Sequence, residues 1–263
     1  MSERSPEWRV SFGTDQLTVQ QVGSGPHVVL VHGGVGPELT WERQRPLAER
    51  WTLLVPTRRG FPGTAEGDRQ DFEQDARDVS PLLSDGAHLV GFSYGGVGAT
   101  ILAAEDPNRV KSLTLIEAPL YLAARDHPAV DEIARAGDAF LAGEADELTE
   151  RQFLADAGID PNAMTRHNRK LIQQAMDAAR GGRPPSEAEP DLDAIAEAGV
   201  PAMVVSGDHH EGIEILCDAL SKRLRAWREV VPGAGHAVPR APGFNDVLDE
   251  FLRWAETKWP KTA

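Results

Sequence analysis

Five short apolar runs, each about as long as a β-strand, recur along the chain and constrain its fold more than any other feature. They lie at 28–31, 53–55, 89–90, 113–116 and 203–205. Uninterrupted apolar runs are typical of strands that are buried on both faces of a parallel sheet. Helical patterns lie between or after them, at about 40–50, 71–83, 95–105, 211–225 and 244–254. This alternation predicts an α/β fold in which a doubly wound, mostly parallel sheet lies between layers of helices.

The N-terminal segment follows a different pattern. Apolar and polar residues alternate from Trp8 to Phe12 and again from Leu17 to Val22, with Gly13-Thr14-Asp15 between them. This pattern predicts an antiparallel hairpin that turns at Gly13-Thr14-Asp15.

The region from 120 to 190 has no convincing strand pattern, and its helical patterns lie near 128–142, 149–157 and 163–180. A Gly- and Pro-rich connection at 180–185 follows them. We therefore predict a core of residues 1–119 and 191–263, interrupted by a helical cap at 120–190.

Charge restricts the partners of this chain, because 41 acidic side chains outnumber 27 basic ones and the net charge is −14. Such a surface repels nucleic acid and anionic membranes, so neither is expected as a partner. No stretch approaches ~18 consecutive apolar residues, and 1–6 lacks the apolar run of a signal peptide. The expected location is the cytoplasm, and a homodimer is left open. The single cysteine, Cys217, lies in a helical pattern and is expected to be a buried small hydrophobic residue.

A serine between two glycines follows the strand pattern of 87–90 and opens the next helix, as Gly91-Phe92-Ser93-Tyr94-Gly95. A serine at a sharp strand-to-helix turn has a strained backbone and an exposed hydroxyl. Neighbouring elements crowd the positions two before and two after it, where glycine fits because it has no Cβ. The helix N-terminus places N–H groups beside the serine, where negative charge would develop. Ser93 is therefore the candidate nucleophile.

The same segment resembles part of a dinucleotide-binding fingerprint, Gly-x-Gly-x-x-Gly, because Gly91, Ser93 and Gly96 have its spacing. Glu117, 21 residues after Gly96, would then bind a ribose hydroxyl. We do not favour this alternative, because Ser93 occupies the position where glycine lets a pyrophosphate approach.

A serine hydroxyl needs a base, and a histidine late in the chain is the expected one. His236 ends the loop Pro232-Gly233-Ala234-Gly235, directly after a short strand pattern at 228–231. A histidine on a glycine-rich loop beyond the last strand can reach the carboxyl edge of the sheet.

The oxyanion donors are expected near two strand ends. His32-Gly33-Gly34 follows the first long apolar run, and its backbone N–H groups can point at a carbonyl oxygen. We assign the N–H groups of Gly34 and Tyr94 as the oxyanion donors and expect His32 to hold the loop.

Four motifs in this order resemble the α/β-hydrolase superfamily: HGG at 32–34, RRGFPG at 58–63, GFSYGG at 91–96 and GAGH at 233–236. The resemblance covers almost the whole chain, with 120–190 in the place of the family's cap. It implies hydrolysis of an ester, lactone or thioester of a small molecule through an acyl-enzyme, with no cofactor. A serine at 93 argues against the epoxide hydrolases and haloalkane dehalogenases of this family, which use an aspartate nucleophile.

The acid that would orient His236 departs from the family's pattern. The family usually places it three residues past a glycine after the next-to-last strand, which is His210 in this chain; Asp208 comes two residues early and Glu211 one late. Glu117 ends the strand pattern of 113–116, where some family members resemble this chain and carry the acid. A carboxylate at the end of an apolar strand costs free energy of desolvation unless it has a hydrogen-bond partner, and an imidazole N–H would be such a partner. We rank Glu117 first, Asp208 second and Glu211 third.

The run Asp208-His209-His210-Glu211 also suggests a metal site. Adjacent histidines point in different directions, whereas ligands on one helix need a spacing such as i, i+4, so no metal is expected.

Two functional hypotheses are carried forward. The first is a serine hydrolase. The second is a ligand-binding protein of the same fold with a weak or idle triad, as in some receptors of the superfamily.

Overall fold

A computed structural model describes residues 9–14, 17–62, 64, 69–144 and 165–259 of the protein. Its eight strands form one sheet in the order β1-β2-β4-β3-β5-β6-β7-β8. They are β1 (Arg9–Thr14), β2 (Leu17–Val22), β3 (His27–Val31), β4 (Thr52–Pro56), β5 (Ala87–Phe92), β6 (Val110–Ile116), β7 (Ala202–Ser206) and β8 (Trp227–Val230). Strand β2 pairs antiparallel with β1 and β4, and the pairs from β4 to β8 are all parallel. The predicted α/β fold with a mostly parallel sheet is therefore confirmed.

The described helices flank this sheet. They are α1 (Pro37–Trp41), α2 (Phe72–Val79), α3 (Tyr94–Glu105), α4 (Pro128–Ala142), α5 (Arg166–Ala179), α6 (Leu192–Glu197), α7 (Glu211–Leu224) and α8 (Phe244–Glu256). Short 3₁₀ segments connect several elements, at Glu42–Glu49, Ser80–Leu83, Pro107–Arg109, Tyr121–Ala123, Pro185–Glu187 and Gly235–Arg240.

Both faces of the sheet are covered, which explains the apolar runs. In β3, Val29 and Val31 belong to one apolar cluster, which also contains Leu102 of α3. Val28 and Leu30 belong to a second cluster with residues of α8. Because successive side chains of a strand point to opposite faces, a strand between two helical layers is apolar at most of its positions.

Two local predictions were wrong in detail. Strand β1 continues through Gly13 to Thr14, with a register irregularity after Phe12, so the extra residue is absorbed as a bulge rather than as part of the turn. Asp15 lies outside the described residues. The helix predicted at about 40–50 is only the short α1 followed by the 3₁₀ segment Glu42–Glu49, which contains Pro46. Proline lacks the N–H that an α-helical turn requires at that position.

The described residues of the region predicted as a cap contain helices and connecting turns. Helices α4 and α5 lie in it, and no strand occurs in 120–144 or 165–190. Helix α4 packs against α7, which follows the seventh strand. The helix predicted at 149–157 lies outside the described residues. Within the described ranges, no helix has both the length and the apolar character needed to cross a membrane.

Candidate active site

The candidate residues follow the carboxyl ends of neighbouring parallel strands. Ser93 comes directly after β5 and Glu117 directly after β6, whereas His236 lies six residues beyond β8. Strands β5, β6, β7 and β8 are adjacent in the sheet. The carboxyl edge of a parallel sheet is where α/β folds place their ligand sites, so the topology brings distant parts of the chain to one edge.

Ser93 occupies a sharp turn between β5 and α3. Its backbone has φ 51° and ψ −131°, a left-handed conformation that a residue with a side chain rarely adopts. The Ser93 N–H donates to the Ile116 carbonyl of β6 at 2.8 Å, which fixes the turn against the neighbouring strand. Strain of this kind is found at functional sites, where the surrounding structure enforces it.

The glycines on either side of Ser93 are sterically required, as their spacing predicts. A Cβ on Gly91 would lie 2.5 Å from the Cα of Gly96. A Cβ on Gly95 would lie 2.2 Å from the carbonyl oxygen of His32. The start of α3 is therefore packed against the loop after β3, which brings the two predicted sources of oxyanion donors together.

His236 lies in the 3₁₀ segment Gly235–Arg240, and its Nε2 is 3.0 Å from the Ser93 Oγ. Its ring packs against Phe92 with a centroid distance of 4.9 Å. The imidazole is partly exposed, at 22% for the side chain. It therefore has one nitrogen at the nucleophile and the other available for a partner that sets its tautomer.

Glu117 is that partner in the structure. Its Oε2 is 2.5 Å from the His236 Nδ1, and its Oε1 accepts a hydrogen bond from the Gly207 N–H at 2.8 Å. The Nδ1 of His209 lies 3.3 Å from the same Oε1. The carboxylate is completely buried, and the Glu117 backbone also has a positive φ of 46°.

The environment of Glu117 keeps it ionised. Burial alone would raise its pKa, but the contacts with His209 and His236 outweigh burial and lower the pKa to about 2. A carboxylate that stays charged near neutral pH can hold the proton of His236 on Nδ1 and leave Nε2 free to accept one.

The other two acid candidates lie away from this array. Asp208 is exposed with a positive φ of 57°, and its backbone N–H donates to Glu214. Glu211 is exposed at the first position of α7. His210, at the family's usual acid position, caps α7 by accepting the Gly212 N–H. The structure thus brings Ser93, His236 and Glu117 together and leaves Asp208 and Glu211 outside, as far as its described residues show.

The predicted oxyanion donors lie beside Ser93. Tyr94 is the first residue of α3, and the N–H groups in the first turn of a helix have no acceptor within it. The loop that carries Gly34 touches the nucleophile, because a Cβ on Gly33 would lie 2.8 Å from the Ser93 Cβ. The geometry therefore permits two N–H donors at one carbonyl oxygen.

Two residues of the site were missed by the sequence analysis. His209 was considered only as part of a metal run, although it contacts the buried carboxylate of Glu117. Arg58 was noted only within a family motif, although it is buried and hydrogen-bonded to the loop of His32 and Gly33. The available signal for Arg58 was its place two residues after the end of β4, at the same edge of the sheet.

A metal ion and a dinucleotide both fit poorly. Glu117, His209 and His236 offer ligand atoms within 4.8 Å of one another, and zinc accepts such atoms. Zinc binding there would require His236 and Glu117 to give up the hydrogen bond that already joins them. The dinucleotide alternative would need the Glu117 carboxylate for a ribose, but that carboxylate is engaged by His236 and Gly207.

A separate cavity of about 480 Å³ lies near α1, and the three site residues do not line it. Its lining includes Pro37, Trp41, Leu171 and Arg240. Trp41 contacts Phe92, which in turn contacts His236, so the cavity is next to the site rather than part of it. We assign it no role in substrate binding.

The mostly parallel sheet, with a serine elbow and a His–Glu pair at its carboxyl edge, defines the α/β-hydrolase class of protein. The model of the Alpha/beta hydrolase family matches residues 28–244. The chain belongs to this family.

The relatives are named as hydrolases and esterases that act on different substrates. A pimeloyl-[acyl-carrier protein] methyl ester esterase of Aeromonas hydrophila is 31% identical over 144 residues, which are 53% of this chain and 56% of that protein. The chain thus spans about half the length of this relative. A 2-(acetamidomethylene)succinate hydrolase of Mesorhizobium japonicum is 29% identical over 277 residues, covering 95% of this chain and 94% of that protein.

Solved structures show the same fold. A crystal structure of an N-acyl homoserine lactonase mutant with N-hexanoyl homoserine superimposes with a TM-score of 0.71 and 18% identity, over 98% of each chain. At this level of identity the likeness concerns the fold alone.

Proposed function

We propose that the chain is a serine hydrolase that cleaves an ester, lactone or thioester of a small organic molecule through an acyl-enzyme on Ser93. The observation that carries the proposal is the continuous path from Glu117 to His236 to Ser93, with contacts of 2.5 Å and 3.0 Å. The esterase and hydrolase activities in the names of the relatives support it.

The proposed reaction has two halves. The Ser93 Oγ attacks the carbonyl carbon while its proton passes to the His236 Nε2, and the N–H groups of Gly34 and Tyr94 stabilise the oxyanion. The bond from the carbonyl carbon to the leaving oxygen or sulfur then breaks, and the protonated His236 gives its proton to that atom. In a lactone the alcohol formed in this way stays attached to the acyl chain. Water, activated by the same imidazole, attacks the acyl-enzyme and releases the acid.

The helical cap of 120–190 is part of this proposal, as the cover of the acyl site. It begins three residues after Glu117, at the edge of the sheet that carries the candidate site. Its far end is tied to the elbow, because the Tyr94 hydroxyl donates to the Arg183 carbonyl at 2.8 Å. Both attachments keep the described ends of the insertion beside the candidate site, where they would limit access of the substrate to Ser93. The cytoplasmic location stays a prediction, and the homodimer stays open.

Rapid mixing with p-nitrophenyl butyrate tests the proposal. We expect a burst of p-nitrophenolate that approaches one equivalent of enzyme when deacylation is slower than acylation, and a butyryl adduct on Ser93 by mass spectrometry. Ser93→Ala should abolish the burst and the adduct, and it should lower turnover by several orders of magnitude.

A matched control is Ser221→Ala, because the Ser221 hydroxyl donates to the Asp218 carbonyl within α7. It should keep both burst and turnover. Near-native turnover by Ser93→Ala would disprove the covalent role of Ser93. A folded wild type without burst or turnover on esters, lactones and thioesters would instead favour the ligand-binding alternative.

A further inference from the structure

Arg58 is buried beneath the loop that carries the oxyanion donor, with an exposed fraction of 1%. Each nitrogen of its guanidinium has an acceptor. The Nε donates to Asp75 at 2.7 Å, and the Nη2 donates to Gln70 at 3.2 Å. The Nη1 donates to the carbonyl oxygens of His32 and Gly33, at 3.3 Å and 3.1 Å. One rigid group thus connects α2 to the backbone of the oxyanion loop.

The carbonyl of Gly33 is held from two sides. The backbone N–H of Arg58 donates to the His32 Nε2 at 3.0 Å, so the other ring nitrogen, Nδ1, carries the proton. That Nδ1 donates to the Gly33 carbonyl at 2.9 Å. Burial and the adjacent Arg58 charge lower the pKa of His32 well below its usual value, which keeps the ring neutral.

Fixing this carbonyl also fixes the N–H of the next residue. The peptide between Gly33 and Gly34 is planar and trans, so its C=O and N–H point in opposite directions. With the Gly33 oxygen turned towards Arg58 and His32, the Gly34 N–H is turned away from them. Glycine permits rotation of this peptide more readily than other residues, so something outside the loop has to hold it.

The same guanidinium supports the second donor. The Arg58 Cζ lies 4.6 Å from the ring centroid of Tyr94, at the distance of a cation–π contact. The Tyr94 hydroxyl is fixed at the other end of the ring by the carbonyl oxygens of Gln70 and Arg183. The residue that follows the nucleophile is therefore held between Arg58 and the end of the cap.

We propose that Arg58 is a positioning residue, held by Asp75, that orients the Gly33–Gly34 peptide and Tyr94 so that both N–H groups face the developing oxyanion. The inference rests on the proposed function of Ser93. The physical reason is that donors aligned before the reaction stabilise the transition state more than donors that must first reorient. A rotated Gly33–Gly34 peptide would present a carbonyl oxygen to the oxyanion, which repels it.

Arg58→Lys is the first test, because lysine keeps the charge near Asp75 but has no planar fork that could reach Asp75 and both carbonyls together. We expect kcat for p-nitrophenyl butyrate to fall roughly 10²-fold, as for loss of one oxyanion donor, with KM within about three-fold of wild type. Rates are expressed per folded molecule, with the folded fraction taken from urea unfolding, so unfolded protein does not contribute.

Arg59→Lys is the matched control. The neighbouring Arg59 also pairs with an aspartate of α2, Asp78, through its Nε and Nη2, but its side chain is partly exposed. It should keep kcat within about three-fold. Arg58→Met combined with Asp75→Asn is the second test, because it leaves no unpaired charge in the core and should retain the fold while losing the same activity.

Inhibitors separate a positioning role from a merely structural one. An alkyl trifluoromethyl ketone forms a hemiketal: the Ser93 Oγ bonds to the carbonyl carbon, its proton passes to the His236 Nε2, and the carbonyl oxygen becomes the oxyanion. The matching methyl ketone stays a ketone and reports ground-state binding. In both Arg58 variants, the Ki of the trifluoromethyl ketone should rise in parallel with the loss of kcat/KM, and the Ki of the methyl ketone should not change.

The inference is overturned if either folded Arg58 variant keeps kcat within three-fold, if only KM rises, if both ketones weaken equally, or if Arg59→Lys loses as much activity. A folded wild type without turnover and without an acyl adduct on Ser93 would overturn the proposed function itself. The two failures are therefore distinguishable in one set of measurements.

Discussion

Glutamine at position 117 keeps the shape of the side chain but can no longer accept two hydrogen bonds on two oxygens. In the structure, one oxygen of Glu117 accepts the Gly207 N–H and the other faces the Nδ1 of His236. The amide has one oxygen and one NH₂ group, so one of these two partners must face a donor.

The structure indicates which of the two partners loses its acceptor in Glu117→Gln. An NH₂ group turned towards Gly207 would leave a buried backbone N–H without an acceptor, at a cost of about 1–3 kcal/mol. The amide oxygen is therefore held at Gly207, and the NH₂ group donates to the His236 Nδ1. The imidazole proton then moves to Nε2, which is 3.0 Å from the Ser93 Oγ and can no longer accept its proton.

The magnitude follows from two terms. The preference of the amide for Gly207 reduces the competent tautomer by a factor of about 5 to 150, since 1.36 kcal/mol corresponds to a tenfold change. The remainder comes from the loss of negative charge beside the imidazolium that forms during attack. By analogy with the aspartate of serine proteases, we expect kcat to fall roughly 10³–10⁴-fold in total, which is about 4–5.5 kcal/mol.

Steady-state hydrolysis of p-nitrophenyl butyrate, with thermal unfolding as a check on the fold, measures this effect. Asp208→Asn is the matched control, because the same change of charge occurs at an exposed side chain. It should change kcat by less than about threefold. A large loss in Asp208→Asn together with a small loss in Glu117→Gln would refute the assignment of Glu117 as the acid. Equal, modest losses would refute it as well, by showing that His236 does not depend on one carboxylate.

Three further predictions concern stability and metal dependence. Because the pKa of Glu117 is lowered from 4.5 to about 2, its ionised form stabilises the fold above pH 4.5 and this contribution disappears towards pH 2. Urea unfolding should therefore show a difference between wild type and Glu117→Gln that shrinks between pH 4.5 and 2, and a constant difference would contradict the shift. Gly95→Ala should destabilise the fold by about 3 kcal/mol or more, since its Cβ would meet the His32 carbonyl at 2.2 Å; Gly137→Ala, inside α4, should not, and equal unfolding temperatures would contradict this. Dialysis against a chelator should leave kcat unchanged, whereas a loss that zinc restores would place a metal on Glu117 and His209.

The layers of the fold could be predicted from the sequence because the strands between the two helical layers carry apolar runs, such as 28–31 in β3. The limits of the elements were less accurate where a local exception outweighed the pattern. Pro46 lies in the 3₁₀ segment that replaces the helix expected at about 40–50, and β1 continues to Thr14 with a register irregularity after Phe12. Both exceptions concern backbone hydrogen bonds rather than hydrophobic pattern, so periodicity could not detect them.

The residues of the candidate site also differ in how far the sequence could predict them. Ser93 and His236 carry local signals, a glycine-flanked turn and a glycine-rich loop. Glu117 could be ranked first because a buried carboxylate at a strand end needs a donor and because Asp208 is two residues from the family's usual acid position. The contacts of Arg58 and His209 join residues that are far apart in sequence. Nothing in their local sequence indicates which carbonyl or carboxylate each one meets.

The position of the acid also explains why the loop after β7 looks irregular in sequence. The Glu117 N–H donates to Val205 of β7, the Gly207 N–H donates to the Glu117 carboxylate, and the Gly235 N–H donates to the Gly207 carbonyl. These bonds join the loops after β6 and β7 to the loop of His236. A carboxylate supplied from β6 instead of β7 can therefore reach His236 without moving it. The loop after β7 therefore supplies a donor, the Gly207 N–H, rather than an acceptor, and Asp208 faces solvent because Glu117 already occupies the place of the acid beside His236.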